Sequence, residues 1–201
     1  AFIMITHPSL AVEVLNYANY RRSTGHYPYV IDINQLYKQY GYGVSQHPLA
    51  IRNYLNDVLL NSGTTPSFLF LVGKSVRAKL VRERDYLNAT NLVPSTGNPV
   101  TDNLFTSGLN GAGLEVAIPT GRISVNSNAE LGAYLAKLRS YESAQAASWM
   151  KQALHFVGGK SLLEAQGFEN FMTQYANTFS TGATGGNVRT FKKTTASPIQ
   201  T

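Results

Sequence analysis

Cysteine is absent from the 201 residues. That absence excludes disulfides, thiolate metal sites and a cysteine nucleophile from this stretch of chain. Charge is scarce as well, at 14% of residues, and Tyr, Asn, Ser and Thr supply much of the polarity instead. That uncharged, polar style is common in extracellular bacterial proteins. No apolar run approaches the ~18 residues of a membrane span. The opening Ala1-Phe2-Ile3-Met4-Ile5-Thr6 has no basic n-region and is too short for a signal peptide. It reads as a strand entered directly, and residues 194–201 stop without a closing element. The expectation is a piece cut from a longer chain.

What is present suits a folded protein. Hydrophobic residues make up 43% and aromatics 11%, enough for a packed core. The formal net charge is +6. The basic residues are dispersed, however, and Arg82-Glu83-Arg84-Asp85 compensates itself. With no basic stripe interleaved with aromatics, nucleic acid is not an expected partner.

Taken in order, Phe2 to Thr6 is an apolar strand. His7-Pro8-Ser9 then opens a helix with Leu10, Val14 and Ala18 inward and Leu15 beside them, and Gly25 ends it. Tyr29-Val30-Ile31-Asp32-Ile33 is a second strand, so the pair forms a βαβ unit. Residues 35–44 read as a Tyr-rich loop. His47-Pro48 starts a helix with Ile51, Leu55 and Leu59 inward, and Phe68-Leu69-Phe70-Leu71-Val72 is a third strand. Strand, helix, strand, helix, strand predicts an α/β fold with a mostly parallel sheet flanked by helices.

Residues 77–99 have no clear period and read as a long connection. Two extended segments follow at residues 116–119 and 121–125. Asn128 is the expected N-cap of a helix carrying Leu131, Leu135, Leu138 and Tyr141. Small residues at 143–148 suggest a boundary. A strand over residues 153–157 then ends in Gly158-Gly159-Lys160-Ser161, before a helix with Phe168, Phe171, Met172 and Tyr175 inward and a last strand over 187–192.

Gly73-Lys74-Ser75 and Gly159-Lys160-Ser161 both invite a phosphate-loop reading. That loop needs a glycine five residues before its Gly-Lys-Ser, so that backbone amides wrap the phosphates. Phe68 and Leu154 occupy those positions, so nucleotide binding is excluded on spacing. His7 and His47 each precede a proline at a helix start, where capping is the expected role. His26 lies in a turn, and His155 on a strand is either a satisfied core or a strand-face residue. No His/Asp/Glu set has metal-ligand spacing, and no Gly-x-Ser-x-Gly elbow occurs. Asp102 is expected to cap a backbone turn rather than to bind calcium.

The ordered landmarks resemble the first part of the catalytic domain of gingipain-like cysteine peptidases. They run from Ile3-Met4-Ile5-Thr6, Tyr20-Arg21-Arg22 and Val30-Ile31-Asp32-Ile33 through Ala50-Ile51-Arg52-Asn53-Tyr54-Leu55. Phe70-Leu71-Val72-Gly73-Lys74, Leu92-Val93-Pro94, Thr101-Asp102, Gly121-Arg122, Ser140-Tyr141-Glu142 and Trp149 complete the series. The resemblance implies a caspase-like fold in two sub-domains, a non-catalytic one over residues 1–147 and the incomplete start of a catalytic-type one over 148–201. In that family a histidine at a Gly-His-Gly-like strand end and a cysteine after the next strand form the dyad. Both positions would lie beyond Thr201.

No catalytic, cofactor-binding or metal-ligating residue is therefore assigned, and no cofactor is expected. Near the exit of the second sub-domain's first strand, where the family places specificity and metal-binding acids, only Glu164 stands. The implied function is a fragment of a secreted or cell-surface cysteine endopeptidase of the type IX secretion pathway, inactive alone. The parent would act on protein or peptide substrates, and uncovered strand edges predict self-association of the fragment. A non-catalytic surface or secretion module on the same scaffold, and a flavodoxin-like binding domain, are the alternatives.

Overall fold

Five consecutive buried residues place β1 (Phe2–Thr6) at the centre of a parallel sheet. The computed structural model describes residues 1–183 and 185–193. It divides into two units, Ala1–Glu142 and Ser143–Thr201. In the first, β1 leads through a 3-10 turn into α1 (Ala11–Ser23), then β2 (Pro28–Asp32), α2 (Ile33–Tyr40), α3 (Leu49–Asn61) and β3 (Phe68–Val72). A short α4 (Ala78–Glu83), β4 (Thr120–Ile123) and α5 (Asn128–Glu142) complete it. The strand order is β2-β1-β3-β4, and every pairing is parallel.

Parallel strands covered on both faces read as unbroken apolar runs, which is the pattern of β1 and β3. The register pairs Ile3 with Leu69 and Ile5 with Leu71, and these face α2 and α3 through Ile33, Leu36, Ala50, Ile51 and Leu55. Phe2, Met4 and Val72 lie on the other face with Leu10, Val14, Tyr17 and Ala18 before and within α1, and Leu131 and Leu135 of α5. Fully burying one such side chain is worth about 1.5–3 kcal/mol.

Several local expectations change. Residues 35–40 are helical rather than a loop, and Ile33 opens that helix rather than ending β2, because the Asp32 carboxylate accepts the Asn34 N–H at 2.8 Å and Ile33, Leu36 and Tyr37 form an i, i+3, i+4 buried stripe. Residues 77–99 contain α4 and a 3-10 segment, Asp85–Thr90. Neither buries a residue, so neither leaves an apolar period to read. Leu15 is 51% exposed, and Tyr17 takes its place on the inward face of α1. Of the two extended segments, only Thr120–Ile123 joins the sheet; Val116 makes an isolated antiparallel bridge with Ser107.

Asn128 is not the cap of α5. Ser127 Oγ accepts the Glu130 N–H at 3.2 Å, and the Glu130 carboxylate accepts the Asn126 N–H at 2.8 Å. This is a variant of the capping box in which the glutamate reaches the N–H one residue before the capping serine, so the two side chains each satisfy a backbone donor. Asn128 instead ties α5 to the start of α1, accepting from the Glu13 N–H and donating to the Ser9 carbonyl.

The second unit pairs β5 (Gln152–Val157) with β6 (Asn187–Lys192) in parallel, joined by α6 (Leu162–Thr181). Ser161 and Glu164 repeat that arrangement, with the Glu164 N–H bonded to Ser161 Oγ and the Lys160 N–H to the Glu164 carboxylate. The Gly158-Gly159-Lys160-Ser161 exit is thus a helix cap. Met172 is partly buried as expected, but Phe168, Phe171 and Tyr175 are exposed. The rest of the inward stripe is Ala165, Glu169, Ala176 and Phe179.

Candidate functional site

The chain leaving the carboxyl ends of β1 and β2 lines a cavity of about 220 Å³. It lies where the chain order reverses. From β1 the chain crosses one face through α1 to reach β2, then crosses the other through α2 and α3 to reach β3, on the opposite side of β1. In open α/β sheets the crevice outside the strand ends at such a reversal is the usual ligand position.

Four segments build its wall. His7 directly follows β1, and its Nδ1 accepts the Ser9 N–H at 3.2 Å. His47 Nδ1 likewise accepts the Leu49 N–H, so both His-Pro pairs carry the expected local caps. The start of α2 brings Asn34 and Tyr37 to the cavity. The loop after α2 contributes Ser45 and Gln46, and Gln46 sits in the left-handed backbone region at φ 58°. Residues without glycine's freedom hold that conformation only when their surroundings impose it. Here Gln46 Nε2 donates to the Asn88 carbonyl at 3.1 Å, and its Oε1 accepts from Asn91 Nδ2 at 2.9 Å. Buried Asn91 also accepts the Val76 N–H at 3.0 Å, which ties the wall to the exit of β3.

Tyr37 is 5% exposed, and its hydroxyl is buried without a hydrogen-bond partner among the described residues. Burial pushes this phenol far above its ordinary range, with the Arg122 charge opposing the shift and Asp32 reinforcing it.

Beside the strand ends stands one ion pair. Arg122 Nε and Nη2 donate to the two Asp102 carboxylate oxygens at 2.7 and 2.8 Å. Its other donors reach the carbonyls of Gly73, Val93 and Pro94, and Ser95 Oγ also donates to Asp102. Asp102 therefore does not cap its own turn; Thr101 Oγ1 accepts the Asn103 N–H there. This fork matches bidentate guanidinium–carboxylate geometry and clamps the loops onto β3 and β4. Gly73 is required at that strand exit. Its φ is 142°, and an added Cβ would meet Val93 Cγ2 at 3.0 Å and Leu92 Cβ at 3.1 Å.

His7 Nδ1 also lies 2.8 Å from Ser9 Oγ, at an exposed helix start. Among the described residues no three His, Asp or Glu side chains gather as a metal site, and no helix is long and apolar enough to cross a membrane. Of the sequence candidates, His26 lies in an aromatic group with Phe2 and Phe68 at the opposite strand ends. His155 is half-buried on β5, and its Nδ1 has no partner among the described residues, so it is not a satisfied core histidine. Glu164 is committed to its helix cap.

The sequence model of peptidase family C25 matches residues 1–198. The chain belongs to this peptidase family. No curated protein matches it. Among solved structures it is similar to dimeric latent PorU from Porphyromonas gingivalis, with a TM-score of 0.57 and 17% identity over 83% of this chain and 20% of that one. It is also similar to a chain described as a protease, with a TM-score of 0.63 and 17% identity over 94% of this chain and 39% of that one. The chain thus spans between a fifth and two fifths of the length of these structures. Their likeness supports the α/β, caspase-like architecture of the gingipain family.

Proposed function

We propose that this gingipain-family chain is the supporting part of a secreted or cell-surface cysteine endopeptidase whose catalytic histidine and cysteine lie outside residues 1–201. The observation that carries the reading is a family match over residues 1–198 in a sequence that contains no cysteine. A thiolate must attack the scissile carbonyl in such an enzyme, and an imidazole must move the proton. On this reading residues 1–147 form the non-catalytic sub-domain and residues 148–201 open the catalytic-type one. The substrate of the parent is protein or peptide, and export follows the type IX route.

The 201-residue chain is expected to hydrolyse no fluorogenic peptide, with or without prior treatment by iodoacetamide. Turnover by the purified chain would overturn the reading, since there is no thiol to alkylate. Sequencing the parent gene past Thr201 supplies the second arm. A strand ending in Gly-His followed by one ending in Cys supports the peptidase; absence of either replaces it with a non-catalytic surface module on the same scaffold.

A further inference from the structure

After β3 the chain makes an excursion over residues 75–91 before it returns to the loops clamped by Arg122. Both ends of the excursion are pinned side by side. The Lys74 carbonyl accepts the Leu92 and Val93 N–H groups at 2.9 and 3.1 Å, and the Val76 N–H donates to Asn91 Oδ1 at 3.0 Å. Arg122 Nη1 donates to the Gly73 carbonyl at 2.7 Å and to the Val93 carbonyl at 2.8 Å, so one guanidinium holds both sides of this neck.

Beyond the neck the segment adds little to the core. α4 buries no residue, and neither does the 3-10 segment Asp85–Thr90. A helix as short as α4 has little stability of its own and depends on packing. A segment with so few buried contacts opens at small free-energy cost while the sheet beside it stays closed.

The side chains it displays are those of a basic cleavage site. Arg77, Lys79, Arg82 and Arg84 are all exposed. At the two ends of α4 the backbone is non-helical, with φ −54° and ψ 131° at Arg77 and φ −145° and ψ 85° at Arg84. Exposed excursions of this kind are where proteolytic nicking concentrates. Apart from Lys74 in the neck, the other lysines and arginines of residues 1–142 lie in α1, α2, α3 and α5, which bury apolar side chains, or in β4, which is bonded into the sheet.

We propose that residues 77–84 are a processing site, where a trypsin-like endopeptidase cuts after arginine or lysine and leaves two pieces that stay folded together. Water adds across the peptide bond: its oxygen enters the new carboxylate, and the nitrogen leaves as the amino group of the following residue. The neck keeps the new ends close. The pairing of β3 with β4, and the bonds of Asn128 to Ser9 and Glu13, span the cut. The site stands independently of whether the parent is an active peptidase.

The test digests the 201-residue chain with a low proportion of trypsin, reading cut positions by mass spectrometry and association of the pieces by size-exclusion chromatography. Within residues 1–142 the first cut should follow Arg77, Lys79, Arg82 or Arg84. It should be at least about tenfold faster than any cut in α1, α3 or α5, because cleavage tracks the population of the open form. The two pieces flanking the cut should elute together and melt within about 5 °C of the uncut chain. Arg77→Gln, Lys79→Gln, Arg82→Gln and Arg84→Gln combined in one chain should abolish the early cut and leave the melting temperature unchanged, since all four side chains are exposed. A first cut elsewhere in residues 1–142 overturns the proposal. So does separation of the two pieces, or an early cut that persists in the combined variant.

Discussion

The two sheets draw on the same apolar residue types, yet only the four-stranded one hides them. Among the described residues every buried apolar side chain except Val157 belongs to the unit ending at Glu142. In that unit helices cover both faces of the sheet, so alternate residues of β1 and β3 are buried in both directions. In the other, α6 packs on the face of Ala153, His155 and Val157. Leu154 and Phe156, on the opposite face, are 59% and 71% exposed. Phe156 stacks on its register partner Phe191 across the strand pair at 5.2 Å, which covers Phe191 in part but leaves Phe156 in water. A strand can therefore be apolar without being a core strand, and a two-stranded sheet is marginal without further cover.

The largest expected effect breaks this contrast directly. Leu71→Ala should cost about 3–5 kcal/mol in urea unfolding, whereas Phe156→Ala should cost under about 1 kcal/mol, because little burial is lost. Equal costs would mean that both units bury their strands alike. Next comes Arg122→Ala, whose side chain is 12% exposed. Removing it leaves the Asp102 carboxylate with only the Ser95 hydroxyl and takes a donor from three carbonyls, and about 3 kcal/mol of stability should go, again by urea unfolding.

The caps give a smaller and more local comparison. Ser127→Ala and Ser161→Ala should each cost about 1 kcal/mol. Hydrogen exchange should show the first in α5 as part of cooperative unfolding, and the second as fraying confined to α6. The exposed face of β5 and β6 should drive self-association, and Phe156→Ser should shift light scattering toward the monomer.

The smallest effect concerns pH. Glu142 accepts from the Tyr20 hydroxyl at 2.6 Å and from Arg21 at 2.8 Å, and these bonds hold its carboxyl below the ordinary range. A lowered folded pKa means that the contribution is complete above the ordinary carboxylate value and fades as pH falls through the folded one. The group is largely solvated, so the slope should be slight. Melting temperature against pH should be flatter below the ordinary value in Glu142→Gln.

Much of the fold was legible in the chain, and the reasons are local. Phe68 to Val72 reads as a buried strand because no residue in it tolerates water, and Ile51 and Leu55 mark one face of α3. Residues 35–40 were misread as loop because tyrosines in a short helix blur the apolar stripe. Asn128 was misassigned because Asx caps are read from their own helix, while its partners lie 115 and 119 residues away. The site was less legible still. Gln46 and Asn91 are 45 residues apart, and nothing near either announces the other.

The sequence by itself determined the order of the sheet-forming strands β1 to β3 with the helices α1 and α3, the absence of a thiol and the failure of the phosphate-loop spacing. Each depends on residues within one turn or strand, where side-chain period and composition act directly. Tertiary structure alone decided that Arg122 would clamp Asp102, that four distant segments would enclose one cavity, and that β5 would leave its apolar side uncovered. Those outcomes depend on which surfaces the parallel register brings together, and contacts across 20 to 119 residues have no local period to betray them.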